Sequence, residues 1–249
     1  VILAEQTSAL YKTLARLPAD QLSVSSAWLA ALCAAFSVYF FLSSVSDMAV
    51  GLGLIFSLEL PQLTYYPFQA ASVRDHLYRM NLPLEDALGL LFFGESFDRN
   101  AGDRRAYLIS MASPLLLALW LRPDADHLLW GLSFSALVFL DALLLRRFPA
   151  KLPFLSRMVT FLLILPTYVL LLPVSSAAKG SIFAAMLGLG NVPLFNDAVI
   201  YLVSSNLVLL LIAALACLSL TGTLGRLTAR HAPRLWWSCS AAFHLVLLL

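Results

Sequence analysis

The chain has 249 residues, 61% of them hydrophobic and only 12% charged, with a formal net charge of +2. A soluble domain is nearer half apolar and a quarter charged, and it has no way to hide this much apolar surface from water, so a mean hydropathy of +0.86 makes the bilayer the natural solvent. The near-balanced charge excludes the strongly basic face of a nucleic-acid binder. The three cysteines, Cys33, Cys217 and Cys239, stand far apart in apolar runs, with neither metal-ligand spacing nor a disulfide framework.

The chain opens at Val1 without the charged stretch and cleavage site of a secretory leader, and it closes inside the apolar run Ala241–Leu249. The expectation is the C-terminal part of a longer protein, forming one membrane domain over 1–249. A spanning helix needs roughly 20 mostly apolar residues. Ser26–Val45 is the first candidate, opened by Ser25 or Ser26 as N-cap. Met48–Leu60 is a second, shorter segment that follows Asp47 and stops at Pro61. Tyr107–Leu121 carries Pro114 as a predicted kink, and His127–Leu145 ends at Arg146, Arg147 and Pro149. Met158–Val174 is predicted to kink near Pro166. Ala177–Leu189 is small and apolar, as a re-entrant or interfacial segment would be. Ala198–Leu220 reads as the cleanest span, and Trp236–Leu249 opens another. Basic residues cluster at Arg104–Arg105, at Arg146, Arg147, Lys151 and Arg157, and at Arg226, Arg230 and Arg234. The positive-inside rule puts all three clusters in the cytoplasm, with an even number of crossings between them.

Residues 61–106 are too long and too polar for a tight connection, and long loops in compact domains are usually functional or disordered. The composition (Arg74, Asp75, His76, Tyr78, Arg79, Asn81) is not that of a disordered tail. Irregular backbone at membrane depth survives only where protein or a water-filled cavity covers it. A partly embedded polar loop with short helices satisfies both points. The overall expectation is an all-α, polytopic transmembrane protein.

The run Ser46-Asp47-Met48-Ala49-Val50-Gly51-Leu52-Gly53-Leu54-Ile55-Phe56, followed by Leu60-Pro61 and Tyr66-Pro67, resembles the membrane-bound O-acyltransferase superfamily in its alginate O-acetyltransferase-like branch. Ser72-Val73-Arg74-Asp75-His76-Leu77-Tyr78-Arg79-Met80-Asn81-Leu82 continues in register with the branch's "S-I-T-D-F-W-R-R-W-H-x-S-L". Leu129-Trp130-Gly131-Leu132 resembles its "LWGLYHG" helix, and Arg157-Met158-Val159-Thr160-Phe161 resembles a late "R-x-x-T-F" span. The resemblance implies transfer of acyl groups, commonly acetyl from acetyl-CoA or another activated donor, to polysaccharide. It also implies a bacterial inner-membrane location, partner proteins for polysaccharide modification, and no metal or resident cofactor.

The departures fall on the polar positions. The family's presumed catalytic His falls on Leu121, one residue after Trp120. Its loop His falls on Asn81, its second "LWG"-helix His on Phe134, and its Asp and Arg-Asp positions on Phe41, Gly89 and Leu90. A general base is typically worth 10²–10⁴ in rate, and leucine accepts no proton. The resemblance therefore implies an acyltransferase frame with its catalysis impaired. Asn81-Leu82-Pro83 also resembles an Asn loop of lipid-directed branches.

Two substitutes for the base are open, His127 and His76. The blander readings are an interfacial His at a helix start beside Asp124 and Asp126, and a stacking or hydrogen-bonding loop residue. His231 reads as a surface residue and His244 as a neutral core one. Asp47, Asp75, Arg79, Asn81, Trp120 and Trp130 are the substrate-tunnel candidates. Arg74, Asp75 and Arg79 also fit a salt-bridged helix face. Asp47 reads equally as a helix cap or as the orienter of a basic partner. Three roles remain: an impaired relative of the acetyltransferases, an active acyltransferase with a displaced His, and a non-enzymatic scaffold or transport component of an exopolysaccharide complex. The apparent avoidance of spans by charged residues counts against transport.

Overall fold

The structure, a computed structural model, describes residues 1–18, 21–93, 104–143, 153–171, 174–189 and 192–217. Among these residues the secondary structure is helical throughout, with no strand. The helices are α1 (Ile2–Ala15), α2 (Val24–Ile55), α3 (Val73–Met80), α4 (Leu82–Phe93) and α5 (Arg104–Leu121). They continue with α6 (Ala125–Leu143), α7 (Pro153–Tyr168), α8 (Ser176–Met186), α9 (Asp197–Ser205) and α10 (Leu207–Cys217). Among the described residues, three helices are long and apolar enough to cross a membrane: Val24–Ile55, Ala125–Leu143 and Phe154–Leu171, the last being α7 with its terminal 3-10 turn. The bent pair α9–α10 makes a fourth if it counts as one span. Trp236–Leu249, the end of Ala198–Leu220, His231, His244, Cys239 and the basic residues Arg146, Arg147, Lys151, Arg226, Arg230 and Arg234 lie outside the described residues.

The two segments expected over 26–60 are one helix. Ser43, Ser44, Ser46 and Asp47 lower the local hydropathy without breaking the backbone: Ser43, Ser44 and Asp47 are not buried, and the buried Ser46 hydroxyl is satisfied by the Leu63 amide at 2.8 Å. Asp47 thus lies inside α2 and caps nothing. The N-cap is Ser23 rather than Ser25 or Ser26. Its hydroxyl accepts from the Ser26 amide at 3.1 Å, and Ser26 returns a bond from the Ser23 amide at 2.8 Å, a reciprocal cap of the kind that satisfies two orphan donors.

In a bilayer, helices are drawn together by packing rather than by the hydrophobic effect, so small residues mark their contacts. Ala27, Ala30, Ala31, Ala34 and Ala35 are fully buried on α2, which packs against α1, α7 and α8. The α5–α6 hairpin closes through Arg122-Pro123-Asp124. A Cβ on Gly131 would come within 2.9 Å of the Pro114 carbonyl oxygen and 3.1 Å of the Leu115 Cα, so only glycine permits this approach. Pro114 lies inside α5 and Pro166 inside α7, as expected. Serine hydroxyls sit beside the first: Ser135 donates to the Met111 carbonyl at 2.7 Å.

Ala198–Leu220, the cleanest span by hydropathy, bends by 69° between α9 and α10. Ser205 donates to the Tyr201 carbonyl at 2.7 Å, and the Asn206 amide side chain donates to Leu202 O at 2.9 Å. These short polar side chains compete for the carbonyls that would carry the helix onward. The α8 helix has 11 residues, too few to span, and ends on Gly188, whose φ of +70° is a left-handed stop.

The polar stretch is built as expected, as an extended strap leading to two short helices. Residues 58–66 carry no regular secondary structure, Pro67–Gln69 form a 3-10 turn, and α3 and α4 follow. The α3 helix buries Val73, His76, Leu77 and Met80, the i, i+3, i+4, i+7 stripe of a core-facing helix. Ser72 caps it by accepting from the Asp75 amide at 3.1 Å. The strap is tied to its C-terminal end, where the Tyr65 amide donates to Arg79 O at 2.8 Å and the Leu82 amide to Leu63 O at 3.0 Å.

Candidate functional site

The α3 stripe brings His76 to the middle of the bundle, fully buried between α6 and α7. Its Nδ1 lies 2.8 Å from the Pro67 carbonyl oxygen, and its Nε2 lies 2.8 Å from the Tyr168 hydroxyl. A carbonyl only accepts, so Nδ1 carries the proton, and Nε2 accepts from the tyrosine. Burial pushes the imidazole down to about 4, opposed only in part by the Pro67 bond and by Asp75. The ring is therefore neutral at pH 7 and its one basic lone pair is engaged. It stacks on Phe134 at 6.0 Å with an interplanar angle of 7°. Phe68 and Tyr168 complete the cage, and Trp130 packs edge-on against Phe134. The position to which the resemblance assigns a second histidine, Phe134, thus stacks directly on an imidazole that enters from another helix.

Beneath this cage is a cavity of about 10 Å³, room for about one water molecule. Asn81, Glu85, Ser113, Trp130, Phe134 and Tyr168 are among its walls. Trp130 is buried, and its indole N–H has no hydrogen-bond partner among the described residues. Asn81 and Trp130 are the two tunnel candidates that share this cavity. Leu121 and Trp120 are not in its walls and are 44% and 77% exposed, on the far end of α5. Phe41 and Leu90 are also exposed.

A polar network that the sequence reading missed borders the cavity. Glu85 on α4 is 3% exposed, and Ser113 and Ser110 donate to its two carboxylate oxygens at 3.1 and 3.5 Å. The Arg74 guanidinium donates from Nε to Ser110 at 3.1 Å and lies 4.9 Å over the Tyr107 ring. The Arg74 amide reaches the buried Asp141 carboxylate at 3.5 Å. Arg74 therefore turns inward, away from the expected charged face. That face holds only the pair Asp75–Arg79, at 2.8 Å and partly exposed. Asp141 also overturns the reading that charged residues avoid the spans, since it lies within α6. A lone carboxylate in an apolar run is a functional signal by default, and that rule would have found Asp141, whereas Glu85 stands beside Asp86.

His127 is elsewhere, in the first turn of α6 beside the hairpin loop. Its Nδ1 lies 2.6 Å from Asp124 Oδ1, and its amide donates to the same oxygen at 2.9 Å. These bonds, backbone first, hold the Asp124 carboxyl below its usual range. Lys179 on α8 is 4% exposed, yet it is paired with Asp126 at 2.7 Å and donates to Leu170 O at 2.9 Å. Asp47 stands apart from both places, in an open cavity between α2 and the strap.

Comparison with known proteins places this architecture. The chain is 24% identical over 170 residues to the probable alginate O-acetylase AlgI of Pseudomonas syringae pv. tomato, covering 68% of the chain and 33% of that protein. The same enzyme of Pseudomonas aeruginosa matches at 24% identity over 170 residues, again 68% of the chain and 33% of the relative. The peptidoglycan O-acetyltransferase of Helicobacter pylori is 36% identical over 66 residues, 26% of the chain and 12% of that protein. No protein-family model matches the chain, and no solved structure matches it significantly. The chain spans about a third of the length of the alginate O-acetylases it matches. Apolar helices and these relatives together make it an integral membrane protein related to membrane O-acetyltransferases.

Proposed function

We propose that the chain is an accessory, acyltransferase-derived module of a polysaccharide O-acetylation apparatus in a bacterial inner membrane, without acyl-transfer chemistry in its own core. One observation carries the reading: the imidazole at the centre of the bundle, His76, has both ring nitrogens engaged, and the cavity lined by its neighbours Phe134 and Tyr168 holds only about one water. Acyl transfer needs a base that takes the proton of an acceptor hydroxyl. It also needs space in which that oxygen attacks the acyl carbonyl as the donor thiolate leaves. His76 would have to break its bond from Tyr168 to accept any proton, and Leu121 has none to exchange. The activated donor, acetyl-CoA in the simplest case, and the polysaccharide acceptor would then engage partner proteins.

A second reading is favoured by the Asp124–His127 pair. A carboxylate bound to Nδ1 fixes the tautomer that leaves Nε2 as a base, the arrangement by which acid–histidine pairs activate hydroxyls. Nε2 of His127 has no hydrogen-bond partner among the described residues. In that case His127 takes the acceptor proton and Asp124 stabilises the imidazolium.

The test is acetyl transfer from radiolabelled acetyl-CoA to polymannuronate by the reconstituted protein, with His76→Ala and His127→Ala beside it. The first reading expects background turnover in all three. Turnover that falls at least tenfold in His127→Ala establishes the second reading, and turnover lost in His76→Ala alone refutes both.

A further inference from the structure

The C-terminal third of α2 borders two adjoining cavities, of about 450 and 390 Å³, which share Phe40, Ser43 and Asp47. Their sizes are those of small-ligand sites. The larger is floored by α2 and roofed by the strap through Thr64, Tyr65 and Tyr66. The Asp47 carboxylate, central to both, has no hydrogen bond or ion pair among the described residues. Among the described residues, no Lys, Arg or His side chain lines either cavity.

The roof is tied to both neighbouring helices. Tyr66 has φ +43°, a left-handed conformation that a non-glycine residue rarely adopts. It is held there because the next residue, Pro67, gives its carbonyl to His76 at 2.8 Å, while the Leu63 amide donates to Ser46 on α2 at 2.8 Å. Tyr65 and Tyr66 meet edge to face at 5.3 Å. Strain of this kind concentrates at ligand clamps.

The lining chemistry selects the ligand. An anion would meet Asp47 with no basic side chain to offset it, and an apolar molecule would strip water from the carboxylate and leave it unpaired. A primary ammonium satisfies every group at once. It brings the opposite charge, three N–H donors for the carboxylate and the hydroxyl oxygens of Ser43 and Thr64, and a cation for the faces of Tyr39 and Phe40. We propose that this cavity binds a primary ammonium group, presented either by an aminolipid headgroup or by a free amine.

The experiment is calorimetric titration of ethanolamine into the protein in phosphatidylglycerol nanodiscs, repeated in discs containing phosphatidylethanolamine. Saturable binding is expected in the first. It should weaken at least tenfold in Asp47→Asn, survive within about threefold in Asp47→Glu, and be at least tenfold tighter than binding of ethylene glycol, the uncharged analogue. Competition by phosphatidylethanolamine assigns the site to a lipid headgroup, and its absence assigns it to a soluble amine. Absence of saturable ethanolamine binding overturns the proposal. So does binding that Asp47→Asn leaves unchanged, or ethylene glycol or glucose binding as tightly as the amine. The ethylene glycol comparison needs no variant and holds even if Asp47→Asn fails to fold.

Discussion

The strap between α2 and α3 separates two regions of opposite character. On its inner side, Phe134, Tyr168 and Trp130 are buried around a space of about one water, and the buried His76 packs against the first two with both its nitrogens bonded. On its outer side, Asp47 faces a cavity of about 450 Å³ without a partner among the described residues. The inner region keeps a titratable group but denies it solvent and space, and the outer one keeps a charge and gives it both. Burial alone therefore does not mark the site. The inner region is built as a core, and the open cavity lies across the strap.

That contrast breaks most easily at Phe134. Phe134→Ala removes the ring against which His76 and Trp130 pack, and it is expected to cost about 3–5 kcal/mol in chemical unfolding from micelles. A cost under about 1 kcal/mol would show that the inner region is not a packed core. The next effect is a pH dependence. The His76 imidazole titrates at about 4 when folded, against 6.5 for an unperturbed histidine. Between these values the unfolded chain binds the proton and the folded chain does not. The stability it contributes is thus full above pH 6.5 and is lost as the pH falls towards 4, by up to about 3 kcal/mol. His76→Phe keeps the stack and should flatten this slope. It also leaves the Pro67 carbonyl and Tyr168 hydroxyl without their partner, at about 1–3 kcal/mol each. An unchanged slope would assign the pH dependence to other groups.

The outer region should respond in the opposite way. Asp47→Asn is expected to shift unfolding by no more than about 0.5 kcal/mol, as surface changes do, while it abolishes amine binding. A loss comparable to that of Phe134→Ala would mean that Asp47 is structural, and the contrast would fail. The smallest effect is at the exposed pair: Asp75→Ala should cost about 0.2–1 kcal/mol and less in high salt.

Much of the frame was legible in the sequence because it rests on composition. The apolar runs over α2, α5, α6 and α7 and the structured polar stretch follow from hydropathy and from the need to satisfy backbone groups in lipid. Hydropathy averages over a window, however, and so it hides what single residues do. It divided α2 at Ser46-Asp47, where the helix runs on, and it joined α9 to α10 through Ser204-Ser205-Asn206, where the backbone turns by 69°. The site was read through residue identity at family positions, which located Asn81 and Trp130 on one cavity wall but could not show that Leu121 lies outside it. His76 was visible as a histidine in the polar stretch. Its burial depends on a partner 92 residues away, Tyr168, which no local pattern announces. Asp141 was legible in principle as a lone carboxylate in an apolar helix, whereas nothing local distinguished Glu85 from its neighbour Asp86.

The central claim is that the histidine in the bundle is locked and unavailable as a base. Nitrogen-15 NMR of the imidazole in micelles, with His76 assigned by its loss in His76→Phe, tests it most directly. The account predicts a neutral ring protonated at Nδ1 from neutral pH down to about 4. A ring protonated at Nε2, or one that titrates near the unperturbed 6.5, would contradict it.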